Sequence, residues 1–154
     1  MLEKVANLHP DSPRAQLQLG SILLLEGKQE GGVEHLETTV RLDPKLQQAD
    51  VLLVLNYMHQ KKYYQAMEAA QAYLERNPDS VTPYNLLGRL YLETDREEEA
   101  RKAYQKALKI APGDPAANHS LAVLALQDKD PDKARSYYQN ILKTHDSYLP
   151  TLLK

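Results

Sequence analysis

Four prolines, Pro10, Pro44, Pro78 and Pro112, stand 34 residues apart at every step, and no other feature constrains the chain as much. A fixed period of this length marks an array of like units, each one supersecondary element long. Other places keep the same frame. Leu19–Gly20, Leu53–Val54, Leu87–Gly88 and Leu121–Ala122 are in register, as are Gly32, Ala66, Ala100 and Ala134. Leu36, Ala70, Tyr104 and Tyr138 form a further set. Each unit reads as two antiparallel helices that cannot bury their apolar faces alone. A small residue on each helix lets the backbones approach, and a large neighbour fills the space beside it. Pro cannot continue a helix, so it ends the second helix and turns the chain toward the next unit.

Local signals agree with that frame. Ser12-Pro13 and Asp114-Pro115 pair an N-cap residue with Pro at the first helical position, and Asp130-Pro131 does the same for a second helix. Glu97, Glu98 and Glu99 crowd the start of a helix that ends on Lys106 and Lys109, matching the helix dipole at both ends. The pattern predicts eight helices, near 13–26, 29–43, 47–60, 63–77, 81–94, 97–111, 115–128 and 131–144. The second unit departs from the frame with Val54, Ala70 and Tyr73. Ala70 and Tyr73 lie one turn apart, so volume has moved between neighbours. Asn56 points inward, where a buried amide needs partners, and a local structural hydrogen bond is expected.

The stretch Tyr84-x2-Leu87-Gly88-x2-Tyr91, then Ala100-x3-Tyr104, then Pro112, resembles the tetratricopeptide repeat (TPR) signature at that family's spacing. The resemblance implies an all-α, right-handed superhelical solenoid of helix-turn-helix repeats. It divides the chain into 1–12 (the end of a preceding repeat), repeats at 13–46, 47–80, 81–114 and 115–148, and 149–154 (the start of a further one). Leu2 and Val5 at one end, and Leu149, Leu152 and Leu153 at the other, then lack the neighbours that a longer array supplies. End-to-end self-association of the chain is the corresponding expectation.

Catalysis finds no support in the residues. The five histidines, His9, His35, His59, His119 and His145, are dispersed, with no i,i+4 pair and no HExxH spacing. There is no cysteine, hence no disulfide and no thiolate site, and no glycine-rich phosphate loop. No cofactor, no metal and no enzymatic activity are expected. A net charge of -2 gives no electrostatic footprint for nucleic acid, and the apolar runs are too short to insert in a membrane. The compartment stays open between cytoplasm and bacterial periplasm, since no signal or transmembrane segment is present in this sequence.

In TPR arrays the first helices line the concave face. The resemblance therefore implies a partner-binding stripe of Leu17, Ser21 and Leu24, then Val51, Leu55 and Met58, then Asn85, Arg89 and Leu92, then His119, Val123 and Leu126. Within each helix the residues are spaced by 4 and 3, which puts them on one face. The stripe is apolar in its N-terminal half and polar around Asn85 and Arg89. Family members that clamp a terminal carboxylate carry Lys and Asn where this chain has Leu17 and Ser21, so that clamp is not carried over. An apolar strip fits a protein or peptide partner that presents apolar side chains, or neighbouring repeats of a longer array that cover it. The run from Gln47 to Leu153, through YLERNPDSVTPYNLLGRLYLE and ARSYYQNIL, is also similar to bacterial TPR lipoproteins of exosortase (PEP-CTERM) and exopolysaccharide systems. The function expected is a non-catalytic scaffold holding a peptide or helix in its groove. The alternative is an architectural spacer in a longer TPR protein of an export or exopolysaccharide assembly system.

Overall fold

The computed structural model describes residue 4 and residues 9–146. The apolar ends singled out above, Leu2, Val5, Leu149, Leu152 and Leu153, lie outside the described residues. Among the described residues the regular elements are eight helices: α1 (Pro13–Leu25), α2 (Gln29–Leu42), α3 (Gln47–His59), α4 (Tyr63–Arg76), α5 (Val81–Glu93), α6 (Glu97–Ile110), α7 (Pro115–Gln127) and α8 (Pro131–Asp146). The fold is an all-α solenoid of helix-turn-helix pairs. It divides into two compact units, Met1–Arg76 and Asn77–Lys154. In the first, α1 packs on α2, α3 on α4, and α2 on α3. In the second, α5 packs on α6, α7 on α8, and α6 on α7.

The 34-residue period is written into the backbone at two turns. At the closing turn the amides of Ser12, Leu46, Ser80 and Asp114 donate to the carbonyls of His9, Asp43, Asn77 and Ala111. Each periodic proline therefore sits second in a four-residue turn, where its fixed φ is already suitable. At the turn inside each pair, Gly27, Lys61, Asp95 and Lys129 adopt φ of 78°, 57°, 57° and 62°. The amide after each reaches back five residues: Lys28 to Leu23, Lys62 to Tyr57, Arg96 to Tyr91 and Asp130 to Ala125. This is the Schellman closure of a helix end, in which a left-handed residue satisfies the last carbonyls. The caps anticipated from sequence are made. The Ser12 hydroxyl accepts from the Ala15 amide at 3.4 Å, Asp114 Oδ2 from that of Ala117 at 2.9 Å, and Asp130 Oδ1 from that of Lys133 at 3.0 Å.

Close approach of paired helices depends on the small residues. A Cβ built on Gly20 would lie 3.0 Å from the Gly32 carbonyl oxygen and 3.1 Å from Leu36. A Cβ on Gly88 would lie 2.7 Å from the Tyr104 ring, so the missing side chain is the space that the ring occupies. Leu36 and Tyr104 are accordingly buried, as are Ala66, Ala100 and Ala134.

This contact accounts for both departures from the repeat. In the second pair Val54 replaces the glycine and Ala70 replaces the large residue, and both are fully buried. The volume has been exchanged across the helix interface as well as along α4. Tyr73, one turn on, is buried too, and its hydroxyl donates to Gln47 Oε1 at 2.7 Å. In the fourth pair Ala122 takes the glycine's place, yet the facing residue is still large. Tyr138 holds the place of Tyr104 in the repeat frame but is 37% exposed and lies against His119, while Tyr137 packs on the apolar clusters. A methyl group where Gly88 has none leaves no room for a second ring.

The exchange can be tested directly. Gly88→Val should destabilise the second unit by about 1–3 kcal/mol through overpacking. Adding Tyr104→Ala should recover part of that loss by copying the Val54/Ala70 arrangement. Urea unfolding of the two single variants and the double variant would show a favourable coupling between the substitutions. Strictly additive losses would mean that Gly88 and Tyr104 do not share one space.

Candidate functional site

In the first unit α1 and α3 carry the N-terminal part of the candidate stripe. Leu17 and Ser21 line an open cleft of about 710 Å3, together with Arg14, Gln18, Ile22, Leu46 and Gln48. The floor is apolar and the rim polar. Leu17 is itself buried, packed with Leu36, Ala49 and Leu53, and Leu24 packs half-buried on the same cluster. The Ser21 hydroxyl donates to the Leu17 carbonyl at 2.8 Å, so it is turned back onto its own helix. On α3, Leu55 is 37% exposed and Val51 is half-buried, whereas Met58 is buried. Leu17 and Met58 thus belong mainly to the core, and Leu55 is the stripe's accessible apolar residue on α3. Ile22, Leu46 and Gln48 border the cleft outside the 4-and-3 spacing, which is why the stripe pattern passed over them.

In the second unit two polar members, Asn85 and His119, are already engaged. Asn85 Nδ2 donates to Asp114 Oδ2 at 2.8 Å, tying α5 to the cap of α7, while Asn85 Oδ1 is buried with no partner. Arg89 is exposed and Leu92 half-buried against the core. His119 Nδ1 pairs with the Tyr138 hydroxyl at 3.2 Å, with ring centroids 5.9 Å apart. Val123 and Leu126 on α7 are exposed. The local hydrogen bond expected of Asn56 is not made by its Nδ2, which is buried without an acceptor.

A second constellation was missed by the sequence reading. Gln16, Asp50 and Asn118 are buried polar side chains at one and the same place of three repeats, 34 residues apart or a multiple of it, where the third repeat has Tyr84. Each reaches across to the second helix of its own pair. Gln16 Oε1 meets His35 Nδ1 at 2.6 Å, Asn118 Oδ1 accepts from Asn140 at 3.3 Å, and Asp50 Oδ1 pairs with Arg76. The amides of Gln16 and Asn118 also donate to the carbonyls of the periodic prolines, Pro10 at 3.0 Å and Pro112 at 2.9 Å. A carboxylate has no such donor. Asp50 is left with Oδ2 buried and unpartnered, and the residue is one of those that line a cleft of about 320 Å3. The signal was present: polar residues recur where the third repeat has an aromatic one.

Two tetratricopeptide repeat family models match the chain, one over residues 48–112 and one over 98–149. The chain belongs to the tetratricopeptide repeat family, helical repeats whose general role is protein–protein interaction. No curated protein matches this sequence. Among solved structures, MamA aligns with a TM-score of 0.74 at 24% identity, over 95% of this chain and 85% of its own. PilF of Pseudomonas aeruginosa aligns with a TM-score of 0.77 at 19% identity, over 92% of this chain and 65% of its own. The APC/C hetero-tetramer Cut9–Hcn1 aligns with a TM-score of 0.75 at 20% identity, over 92% of this chain and 27% of its own. At these identities the likeness is one of fold. No group of three or more potential metal ligands occurs among the described residues, and no helix there is long and apolar enough to cross a membrane.

Burial pushes the Asp50 carboxyl above its ordinary value of 3.8, against the opposing charge and hydrogen bond of Arg76. A raised pKa means that the folded chain holds this proton more tightly than the unfolded chain does. The group's contribution to stability is therefore full below pH 3.8 and is lost as pH rises through the raised value. Asp50→Asn stays neutral and lacks that loss. Its stability relative to the parent protein should rise with pH across this window and then level off, as read by urea unfolding at a series of pH values. A difference that is flat with pH would mean that the carboxyl is not perturbed by burial.

Proposed function

We propose that this chain is a non-catalytic docking scaffold, with repeats at 13–46, 47–80, 81–114 and 115–148. It holds an apolar helix or extended segment of a partner protein on the face formed by its first helices. The observation that carries the reading is the cleft over α1 with its apolar floor of Leu17, Ile22 and Leu46, bordered on α3 by Gln48, whose helical face continues through Val51 to the half-open Leu55. A concave, mostly apolar surface with a polar rim suits an amphipathic segment, whose apolar side chains enter while its polar face stays wet. Arg14, Gln18 and Gln48 supply that rim and would fix the orientation of the segment. The presence of Cut9–Hcn1, a hetero-tetramer, among the similar folds is consistent with a scaffold that works by assembly with other chains.

A photo-crosslinking residue at Ser21 should capture one partner in cells, identifiable by mass spectrometry, whereas the same residue at Arg135 should not. Leu55→Asp should abolish the capture and leave helicity unchanged, because a charge in an apolar contact is poorly tolerated. In binding this corresponds to a loss of about 2 kcal/mol or more. Capture unaffected by Leu55→Asp would move the contact off this face. No capture at all from any first-helix position would favour the architectural spacer of an export or assembly system.

A further inference from the structure

The second cleft of the first unit lies on another side of α3. It is walled by α2 through Glu37 and Val40 and by α4 through Glu68, Ala69 and Ala72, with Asp50, Leu53 and Tyr57 of α3 at its floor. It adjoins a further hollow of about 350 Å3 that shares Glu37, Tyr57 and Gln65 and adds Glu30 and Glu34. Five carboxylates thus border one continuous groove, against the two cations Lys62 and Arg76. The whole chain carries a net charge of only -2, so negative charge is concentrated here.

A cluster of acids on a helical surface is ordinarily just solvated. Two features separate this one from that case. Asp50 is 2% exposed and its Oδ2 is buried with no partner, although it borders the cleft. At the same place of the repeat, Gln16 and Asn118 have both ends met: each amide nitrogen donates to a proline carbonyl and each amide oxygen pairs with the second helix. An unmet carboxylate oxygen in a buried position favours any donor that can reach it, and a cationic donor most. The apolar part of the lining, Val40, Leu53, Ala69 and Ala72, is mostly small and suits a methylene stem. Tyr57 is the aromatic member of the lining, with Glu37 at its hydroxyl.

We propose that the groove between α2 and α4 binds a basic segment of a partner protein, with one arginine side chain inserted between Ala69, Ala72 and Val40 to meet Asp50 Oδ2. The outer carboxylates Glu30, Glu34, Glu37 and Glu68 take the flanking cations and speed the encounter. This surface is separate from the first-helix face proposed above, so Leu55→Asp should leave it intact and the two readings fail independently.

Fluorescence anisotropy of the full chain with a labelled Ala-Arg repeat peptide tests the proposal. The peptide should bind saturably, and its citrulline counterpart, equal in shape but uncharged, should bind about thirtyfold more weakly or worse. Asp50→Asn should cost a comparable factor. Ala69→Leu, which enlarges a lining side chain and changes no charge, should do the same and covers the case in which Asp50→Asn unfolds. Replacing Glu97, Glu98 and Glu99 by Gln, an exposed acidic run in the second unit, should have no effect. Losses that follow the number of charges removed wherever they lie would overturn the site in favour of diffuse attraction. Spermine displacing the peptide at equal concentration would overturn the assignment to a peptide, and equal binding of the citrulline peptide would overturn the role of Asp50.

Discussion

The approach of two helix backbones within each pair is the constraint on which the rest of the structure depends. A helix of 13 or 14 residues is marginal alone and gains its stability from tertiary packing. Here packing means one partner helix and one neighbouring pair, in a layer too thin for a deep core. Ten tyrosines and no Phe or Trp suit such a layer, in which a ring can be buried with its hydroxyl still within reach of a polar group. Tyr73 and Tyr104 are both fully packed, and burial raises the Tyr104 phenol above 10.0 even with Ser120 beside it. The distance between helices is therefore set by what faces each large side chain, as Gly88 faces Tyr104 and Gly32 faces Leu24.

Where that pairing changes, the consequences spread in different directions. Val54 with Ala70 conserves volume and leaves a dry, closed pair. Ala122 with Tyr138 does not, and the ring leaves for the surface, where it engages His119. The identity of one small residue on α7 thus decides whether a residue on the candidate partner-binding stripe is free or already held. Packing and binding surface are not separable in a fold this thin.

The architecture was legible because its determinants are local and repeat. Proline, small residues and caps recur at a fixed offset, and the helices end within a residue or two of where those signals place them, α8 running two further. The left-handed residue inside each pair was not legible: after Gly27 the same place holds Lys61, Asp95 and Lys129, whose side chains do not advertise a positive φ. The stripe on the first helices followed from spacing, but its depth did not. Leu17 and Leu24 on α1, and Met58 beside Leu55 on α3, follow one spacing, yet neighbouring helices cover them to different degrees, and periodicity along one helix carries no information about that. Nor could spacing show that Asn85 and His119 would find partners in Asp114 and Tyr138.

The buried polar place shared by Gln16, Asp50 and Asn118 shows how a repeat frame can carry both a structural role and a departure from it. An amide at that place serves as donor and acceptor at once, stitching the closing turn to the second helix, and so satisfies itself inside the pair. A carboxylate is acceptor only. Substituting one for the other removes the stitch to the proline carbonyl and leaves an oxygen unmet, at a cost that packing must offset. Arg76 meets one oxygen of Asp50 and no more. Asparagine at the same place of the fourth repeat meets all its polar atoms, so the carboxylate at Asp50 carries a cost that the repeat frame does not require. That unmet acceptor, in a cleft bordered by further carboxylates, is what the proposed basic segment would answer.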